Sequence, residues 1–276
     1  MRTWFITGAS RGLGRELTEQ VLARGDRVAA TLRRPDQLDD LAERYGDRLW
    51  VRRLDVTDTE QLGRVVADAF AEHDRIDVVV SNAGSGVFGV AEDLTDEQVE
   101  GLLATNLTGS IHLARRVVPH LREQGGGVLV QMSSMGAHIT FPGFAIYHAT
   151  KWGIEGFLDS LGDEVAPFGI HTMLVEPGRV RTTFYEAAER VPLSEPYRGG
   201  PADYPPLVLE DMAGSQSGVA HAMIEAALSE SPPRRLLLNS DAFEWVTDAL
   251  RRRVAGFEAQ RDIALSADHD HVVAVS

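Results

Sequence analysis

The chain has 276 residues, of which 43% are hydrophobic and 25% charged, the composition of a globular protein with a full core. Its formal net charge of −14 disfavours nucleic acid and anionic membranes as main partners, and the lack of cysteine excludes disulfides and thiolate chemistry. The sequence contains neither the ~18–20 apolar residues of a membrane span nor the apolar run of a signal peptide. We therefore expect a cytoplasmic protein.

The chain opens with a predicted strand at residues 4–7, followed by a glycine-rich turn and a helix that runs to about Arg24. A glycine turn between a strand and a helix presents free N–H groups and the positive end of the helix dipole to a phosphate. The spacing is G-x-x-x-G-x-G, which differs from the common dinucleotide fingerprint G-x-G-x-x-G. We predict an anion site formed by Gly8, Ser10, Arg11, Gly12, Leu13 and Gly14.

A second strand is predicted at residues 27–32, and Arg33 and Arg34 follow it directly. In a doubly wound sheet the end of this strand faces the adenosine ribose, where an acidic residue binds a free 2′-hydroxyl. Two arginines suit a 2′-phosphate instead, so the sequence favours NADP over NAD, with Arg11 as a second arm of the same clamp. A solvated basic turn is the alternative interpretation.

Strands and helices go on alternating to about residue 178, which indicates a doubly wound parallel sheet of about seven strands with helices on both faces. Ligands of such sheets bind beyond the carboxyl ends of the strands. We expect four strand ends to converge on one crevice, those at Gly8, Asn82, Ser134 and Pro177. The further strands are predicted at residues 49–54, 76–81, 128–130 and 172–175.

Tyr147 and Lys151 are four residues apart, so a helix places them on one face. The same face continues in apolar residues, namely Ile154, Leu158, Leu161 and Val165. A buried lysine is costly unless it has a function or partners. Taken alone, the pattern also fits a core tyrosine and a lysine whose amine reaches the surface.

The segment from residue 192 to 214 is rich in proline and glycine, which excludes an interior helix or strand. Because it follows the sixth predicted strand, we expect residues 183–215 to form a substrate lid. A helix at 217–228, a strand at 236–238 and a helix at 241–264 complete a single predicted domain, residues 1–265. Residues 266–276 are predicted to be a tail whose His269 and His271 are too isolated for a metal site.

The chain resembles the classical short-chain dehydrogenase/reductase family over about residues 1–185. The resemblance rests on motifs that follow one another in the family's order, namely Thr7-Gly8-x-x-x-Gly12-x-Gly14, Asn82-Ala83-Gly84, Asn106, Ser134, Tyr147-x-x-x-Lys151 and Pro177-Gly178. One departure is Ser81, where many members have a second asparagine. The part near Leu236 and the closing helix are similar to the branch of 17β-hydroxysteroid-dehydrogenase-like and retinol-dehydrogenase-like reductases.

This resemblance implies a Rossmann-type domain that interconverts a ketone or aldehyde and an alcohol by hydride transfer. Tyr147 would be the general acid/base, and Lys151 would lower its pKa and hold the nicotinamide ribose. Ser134 would bind the substrate oxygen, and Asn106 would hold a water connected to Lys151. The expected cofactor is NADP(H), with NAD(H) as the alternative, and no metal is expected. The other implied cofactor contacts are Asp55, Val56, Asn82, Ala83, Gly84, Pro177, Gly178, Val180 and Thr182.

The segments that flank the crevice are largely apolar or aromatic, so we expect an apolar or bulky substrate. The candidate substrate contacts are Ser134, Met135, His138, Phe141, Phe144, Phe184 and Tyr185. The family resemblance allows a homodimer or a homotetramer, because long helices such as those around Asn106 and Tyr147 often form its subunit interfaces.

Two other functions compete with this one. An NADP-dependent epimerase or dehydratase also uses Tyr-x-x-x-Lys, but usually has another glycine spacing and a larger C-terminal domain. A cofactor-sensing regulator would keep the fold and typically lose the tyrosine or the lysine, and both are present here.

Overall fold

The computed structural model of the protein describes residues 1–205 and 208–268. The predicted tail from residue 269 on, with His269 and His271, and residues 206 and 207 of the predicted lid lie outside the described residues. The strands are β1 (Thr3–Thr7), β2 (Arg27–Leu32), β3 (Leu49–Arg53), β4 (Val78–Ser81), β5 (Val87–Phe88), β6 (Gly127–Met132), β7 (Ile170–Pro177), β8 (Glu189–Arg190) and β9 (Arg235–Leu238). The α-helices are α1 (Gly12–Ala23), α2 (Asp39–Tyr45), α3 (Thr59–Glu72), α4 (Asp96–Leu103), α5 (Gly109–Glu123), α6 (Ala145–Val165), α7 (Phe184–Ala187), α8 (Gln216–Ala227), α9 (Ser240–Glu258) and α10 (Arg261–Leu265).

Seven strands form one parallel sheet in the order β3-β2-β1-β4-β6-β7-β9. Ile6 in β1 pairs with Ala30 on one side and with Val80 on the other, so β1 lies inside the sheet. The chain progresses outward from β1 in both directions, and the point where the strand order reverses opens a crevice between β1 and β4. This Rossmann-like sheet confirms the predicted fold class.

The central strands of the sheet are largely apolar because both faces of the sheet are covered. Side chains alternate across a strand, so Trp4 and Ile6 pack on one face while Phe5 packs on the other. The first face is covered mainly by α1, α2 and α8, and the second by α3, α5 and α6. The described helices are too short or too polar to span a bilayer.

Helix α6 buries the face that its sequence periodicity predicts. Lys151, Ile154, Leu158, Leu161 and Val165 are all buried, and Tyr147 at the start of this face is half-buried. The first turn of α6 lies at the carboxyl edge of the sheet, so this face continues from the core into the crevice.

The C-terminal third differs from the prediction in two details. Within residues 183–215, α7 and β8 precede the proline-rich stretch, and β8 pairs with β5 in a small second sheet. The predicted closing helix ends at Glu258 and a second short helix starts at Arg261, because the chain turns at Ala259 and Gln260.

Candidate active site

The glycine turn after β1 requires glycine at three positions. We call this turn the glycine cradle. Gly8 and Gly12 have φ angles of +67° and +57°, in the left-handed region that disfavours side chains. A Cβ on Gly14 would lie 2.3 Å from the main-chain oxygen of Gly8. Among the described residues no side chain caps the first turn of α1, so its N–H groups are left for a phosphate. The turn therefore fits the pyrophosphate of a dinucleotide.

Asn82 ties the glycine turn to the end of β4. Its side-chain nitrogen donates hydrogen bonds to the main-chain oxygens of Thr7, at 2.9 Å, and of Gly8, at 3.1 Å. The main-chain nitrogens of Asn82 and Ala83 in turn donate to the Thr7 hydroxyl, at 3.0 and 3.1 Å. These four bonds hold both sides of the crevice at a defined separation.

The two arginines predicted to bind a 2′-phosphate lie exposed beyond the end of β2. Arg34 makes a 3.7 Å ion pair with Asp36, whereas Arg33 lies close enough to Asp55 to influence its ionisation. Partial burial works to raise the pKa of Asp55, but hydrogen bonds from Thr57 and the charges of Arg33 and Arg53 outweigh it and hold that pKa below its usual value. The carboxylate of Asp55 thus places a negative charge beside Arg33, at the rim of the site.

The remaining predicted cofactor contacts lie around the same crevice. Arg11 is exposed within the glycine turn, and Val56 is buried directly after Asp55. After β7, the Gly178 nitrogen donates to the Leu238 oxygen at 3.0 Å, which fixes the strand end. A Cβ on Gly12 would lie 3.8 Å from Cβ of Thr182, so the segment after β7 reaches the glycine turn. Val180, in the same segment, is buried and forms a β-bridge with Gly214.

Lys151 lies buried beneath Tyr147. Its ammonium donates a 2.9 Å hydrogen bond to the Met132 oxygen at the end of β6, and it lies 5.6 Å from the centre of the Tyr147 ring. Burial lowers the pKa of Lys151 to about 8, and the attraction of Glu155 only partly offsets this. Lys151 is also the single lysine of the sequence, in which every other basic side chain except histidine is an arginine.

Tyr147 holds its phenolic proton in the protein alone. Burial raises the pKa of Tyr147 to about 12, and an interaction with the Ser134 side chain acts in the opposite direction. A phenol that keeps its proton at neutral pH is the form required to donate that proton to a carbonyl oxygen.

The two adjacent serines at the end of β6 have different partners. The Ser134 hydroxyl oxygen accepts a 3.0 Å hydrogen bond from the Gly136 nitrogen and faces Tyr147. The Ser133 hydroxyl donates to a carboxylate oxygen of Glu155 at 2.5 Å. Alternation along an extended chain separates them, and it places Ser134 in the crevice.

Asn106 lies in a π-helical turn, Ala104–Thr108, between α4 and α5. Its side-chain oxygen accepts from the Ser85 nitrogen and its side-chain nitrogen donates to the Ser85 oxygen, both at 2.9 Å. The same nitrogen is 3.5 Å from the Thr150 hydroxyl. Single π turns within helices are frequent at functional sites, because they break the regular main-chain ladder. Asn106 thereby connects the loop after β4 to the helix of Tyr147 and Lys151.

Several aromatic rings lie close to the ring of Tyr147. The ring of Phe184 lies 5.8 Å from it, and those of Phe88 and Phe144 each lie 6.4 Å from it. Tyr185 packs on Phe184 at 5.4 Å, and Tyr204 stacks on Phe144 at 6.4 Å. We call Phe88, Phe144, Phe184, Tyr185 and Tyr204 the aromatic wall.

Sequence reasoning missed Phe88 and Tyr204. Phe88 follows the Asn82-Ala83-Gly84 turn by four residues, and Tyr204 lies within the predicted lid. An isolated aromatic residue carries no periodic signal. Only the position after the turn that follows a strand, for Phe88, and the position within the predicted lid, for Tyr204, could have indicated them.

Three predicted substrate contacts have other partners. Met135 is buried against Ala242 and Val246 of α9. The His138 ring nitrogen Nε2 lies 2.9 Å from a carboxylate oxygen of Glu176. Phe141 stacks edge-on against Trp245 at 6.0 Å, in the same region as Met135. These residues thus contact α9 and β7.

Two buried carboxylates, on α6 and β7, form a cluster with a partly exposed arginine of β9, and sequence reasoning missed it. Arg235 in β9 donates to Glu176 at 2.6 Å, and it also pairs with Glu155. Burial raises the pKa of Glu155, as does the negative charge of Glu176, while Ser133 and Arg235 act to lower it. Glu155 is one helical turn after Lys151 on a face that is otherwise apolar, and this is the signal that could have revealed it.

His148 is a structural residue of the site. Its Nδ1 lies 2.8 Å from the Gly136 oxygen, and its Nε2 accepts a 2.9 Å bond from the Phe141 nitrogen. This pattern assigns a neutral ring with the proton on Nδ1, in agreement with burial lowering the pKa of His148. The ring thus fixes the loop that carries Ser134.

A family model and two curated proteins are similar to most of this chain. The short chain dehydrogenase family model matches residues 2–191. Oxidoreductase BOA17 of Botryotinia fuckeliana is 36% identical over 272 residues, which cover 96% of this chain and 99% of that protein. Oxidoreductase calM of Penicillium decumbens is 31% identical over 281 residues, covering 95% and 91% respectively.

Solved structures of related proteins have the same fold over most of this chain. A short-chain dehydrogenase from Streptomyces avermitilis superposes with a TM-score of 0.90 at 37% identity, over 97% of this chain and 98% of that one. A serine dehydrogenase in complex with NADP⁺ superposes with a TM-score of 0.74 at 26% identity, over 86% and 94%. With the glycine cradle and the Ser134, Tyr147 and Lys151 arrangement described above, these similarities show that the chain is an oxidoreductase of the short-chain dehydrogenase/reductase family.

Proposed function

We propose that the protein is an NADP(H)-dependent oxidoreductase that interconverts an apolar or bulky ketone or aldehyde and its alcohol, with Tyr147 as the general acid/base. The observation that carries the proposal is the stacking of Tyr147 above the buried ammonium of Lys151, at 5.6 Å, beside Ser134. A neutral phenol and a hydroxyl meet where a carbonyl oxygen would have to bind.

Each residue has a distinct role in this reaction. The Ser134 hydroxyl donates a hydrogen bond to the carbonyl oxygen and stabilises the negative charge that develops on it. Tyr147 passes its phenolic proton to the same oxygen. Lys151 stabilises the phenolate that remains, because a cation in a dry site interacts strongly with a nearby anion. Asn106 holds the water that connects Lys151 to solvent.

The glycine cradle and its surroundings support NADP(H) as the cofactor. The nicotinamide group supplies or accepts the hydride when the cofactor is bound. The open N–H groups of α1 would hold the pyrophosphate, Arg33 and Arg34 the 2′-phosphate, and Val180 and Thr182 the carboxamide side. A relative of known structure, the serine dehydrogenase, binds NADP⁺. NAD(H) remains the alternative cofactor.

The aromatic wall supports an apolar or bulky substrate. Five rings lie around Tyr147, and a pair formed by one of them with an aromatic ring of the substrate contributes about 0.5–1.5 kcal/mol beyond area burial. Phe184, Tyr185 and Tyr204 belong to residues 183–215, and the Tyr204 hydroxyl donates to the Pro142 oxygen at 3.1 Å. This segment therefore acts as the substrate lid. The narrower similarity to steroid and retinol reductases stays a prediction.

The test is NADPH oxidation with a panel of carbonyl compounds that ranges from small and polar to large and aromatic. We expect turnover with bulky apolar members, loss of at least about 100-fold in rate for Tyr147→Phe, and unchanged NADPH binding by that variant. Tyr45→Phe, remote from the crevice in α2, is the matched control. Full activity of Tyr147→Phe would remove Tyr147 from the mechanism. NADPH binding without oxidation across the panel would favour the sensor function, and isomerisation or dehydration of a sugar nucleotide would favour the epimerase or dehydratase.

A further inference from the structure

Helix α9 carries a narrow apolar stripe on its exposed side. Phe243 and Phe257 each have 67% of their surface exposed, Val254 has 54% and Leu250 has 38%. With an advance of about 100° per residue, these four side chains fall within an arc of about 60°. We call them the α9 stripe. A continuous stripe of large apolar side chains in water is typical of a helix that packs against another helix.

The stripe lies beside the face that attaches α9 to its own domain. Ala242 and Val246 are buried on that face. Farther along, the Arg253 guanidinium donates to the His138 oxygen at 2.8 Å and stacks 4.6 Å from the Trp152 ring. These three anchors lie about 60–100° from Phe243 in one direction around the helix. The stripe is therefore a second face, distinct from the anchored one.

Charged residues on the other flank of the stripe carry opposite signs. Arg251 and Glu258 lie about 80° and about 60° from Phe243, on the side opposite the anchors. Arg252 is on the far side of the helix, where it pairs with Asp248. In an antiparallel pair related by a two-fold axis, equivalent flanks of the two helices face each other. A flank whose charge changes sign along its length can therefore pair with the same flank of a second copy.

We propose that α9 pairs antiparallel with α9 of a second copy of this chain, about a two-fold axis at Val254. In this register Arg251 lies level with Glu258 of the second copy, to within one residue along the helix axis. The two-fold symmetry forms the same pair a second time. Leu250 likewise lies within one residue of Phe257 of the second copy. This single arrangement matches Leu250, Val254 and Phe257 and the charged pair, whereas the mirror position of Phe243 is residue 265, which lies beyond the end of α9.

The same register places the ring of Phe257 level with Arg251 of the second copy, because these two positions mirror each other about Val254. The net charge of −14 disfavours an anionic membrane as the occupant of this surface.

The lack of cysteine in the chain allows a direct test on the full-length protein. In Val254→Cys, helices 8–10 Å apart bring the two new thiols within bridging range, so mild oxidation should yield a covalent dimer on a non-reducing gel. The matched control is Arg252→Cys, on the opposite side of the same helix, which should stay uncrosslinked. Equal crosslinking of the two variants, or none of Val254→Cys, overturns the proposal.

The molecular mass in solution and the effect of charge-reversal variants provide two independent tests. Light scattering of Phe257→Asp should show half the wild-type mass, with NADPH binding unchanged. Arg251→Glu should weaken the association by about 10-fold, since two ion pairs per dimer become repulsive, and adding Glu258→Arg to it should restore the association. An unchanged mass for Phe257→Asp, as expected if residues of the same chain cover the stripe, contradicts the proposal, as does a double variant weaker than the single one.

Discussion

Replacing Lys151 by methionine is expected to stabilise the fold while it abolishes catalysis. The lysine is 7% exposed and has a pKa of about 8, against an ordinary value of 10.5. This difference means that the folded protein holds the ammonium less favourably than water does. Methionine has a similar shape and no charge, so the substitution removes a destabilising group from the core.

The size of the effect follows from the pKa and from one hydrogen bond. A displacement from 10.5 to about 8, at about 1.4 kcal/mol per pH unit, corresponds to a cost of about 3 kcal/mol for keeping the charge. The substitution also leaves the Met132 oxygen without the 2.9 Å bond from Nζ, which costs about 1–2 kcal/mol. We therefore expect Lys151→Met to raise the free energy of unfolding at pH 7 by about 1–2 kcal/mol.

The sign of the pH dependence is fixed by the same shift. Because the folded pKa lies below the unfolded one, the unfolded chain binds more protons between about pH 8 and 10.5, and the wild type gains stability from this group as pH rises through that window. Below about pH 8 the cost is fully present. The advantage of the methionine variant should thus be constant up to about pH 8 and fade toward pH 10.5.

The assay is urea unfolding of the wild type, Lys151→Met and Lys151→Arg at pH 7 and pH 10, with NADPH oxidation measured in parallel. Lys151→Arg keeps a buried cation and should show no stabilisation. Because Lys151 is the single lysine, ¹⁵N-lysine labelling gives one side-chain signal whose titration reports its pKa directly. A methionine variant less stable than the wild type at pH 7, or a stability difference unchanged at pH 10, would refute the reasoning.

Three further predictions concern the cofactor site and the cluster of Glu155, Glu176 and Arg235. Gly14→Ala should weaken NADPH binding by at least about 10-fold in a fluorescence titration, because its Cβ would lie 2.3 Å from a main-chain oxygen; Gly101→Ala, with open space around its Cβ, should bind normally. Arg33→Ala should weaken NADPH binding about 10- to 100-fold and NADH binding little, and equal losses would exclude a 2′-phosphate contact. Glu155→Gln should lower the pKa of Lys151, since the Glu155 charge raises it; an unshifted ¹⁵N-lysine titration would show that the cluster does not act on Lys151 in α6.

Much of the fold could be predicted because its signals are local. The sheet strands are short apolar runs, the glycine turn has fixed spacing, and the face of α6 repeats every three to four residues. Such patterns depend on neighbours within one or two turns of chain, so they can be recognised before any tertiary contact is known. The placement of Lys151 under Tyr147 belongs to this group, since four residues on a helix determine it.

Tertiary structure alone decides which residues surround Tyr147 and Lys151. Glu176 and Arg235 are 59 residues apart in the chain and meet only because β7 and β9 are neighbours in the sheet. Phe88 reaches the crevice because β5 pairs with β8, and Met135 leaves it because α9 packs over the turn that follows β6. Which side chains a residue contacts depends on strand order and helix docking, which bring distant segments together, and no pattern along the chain encodes those distances.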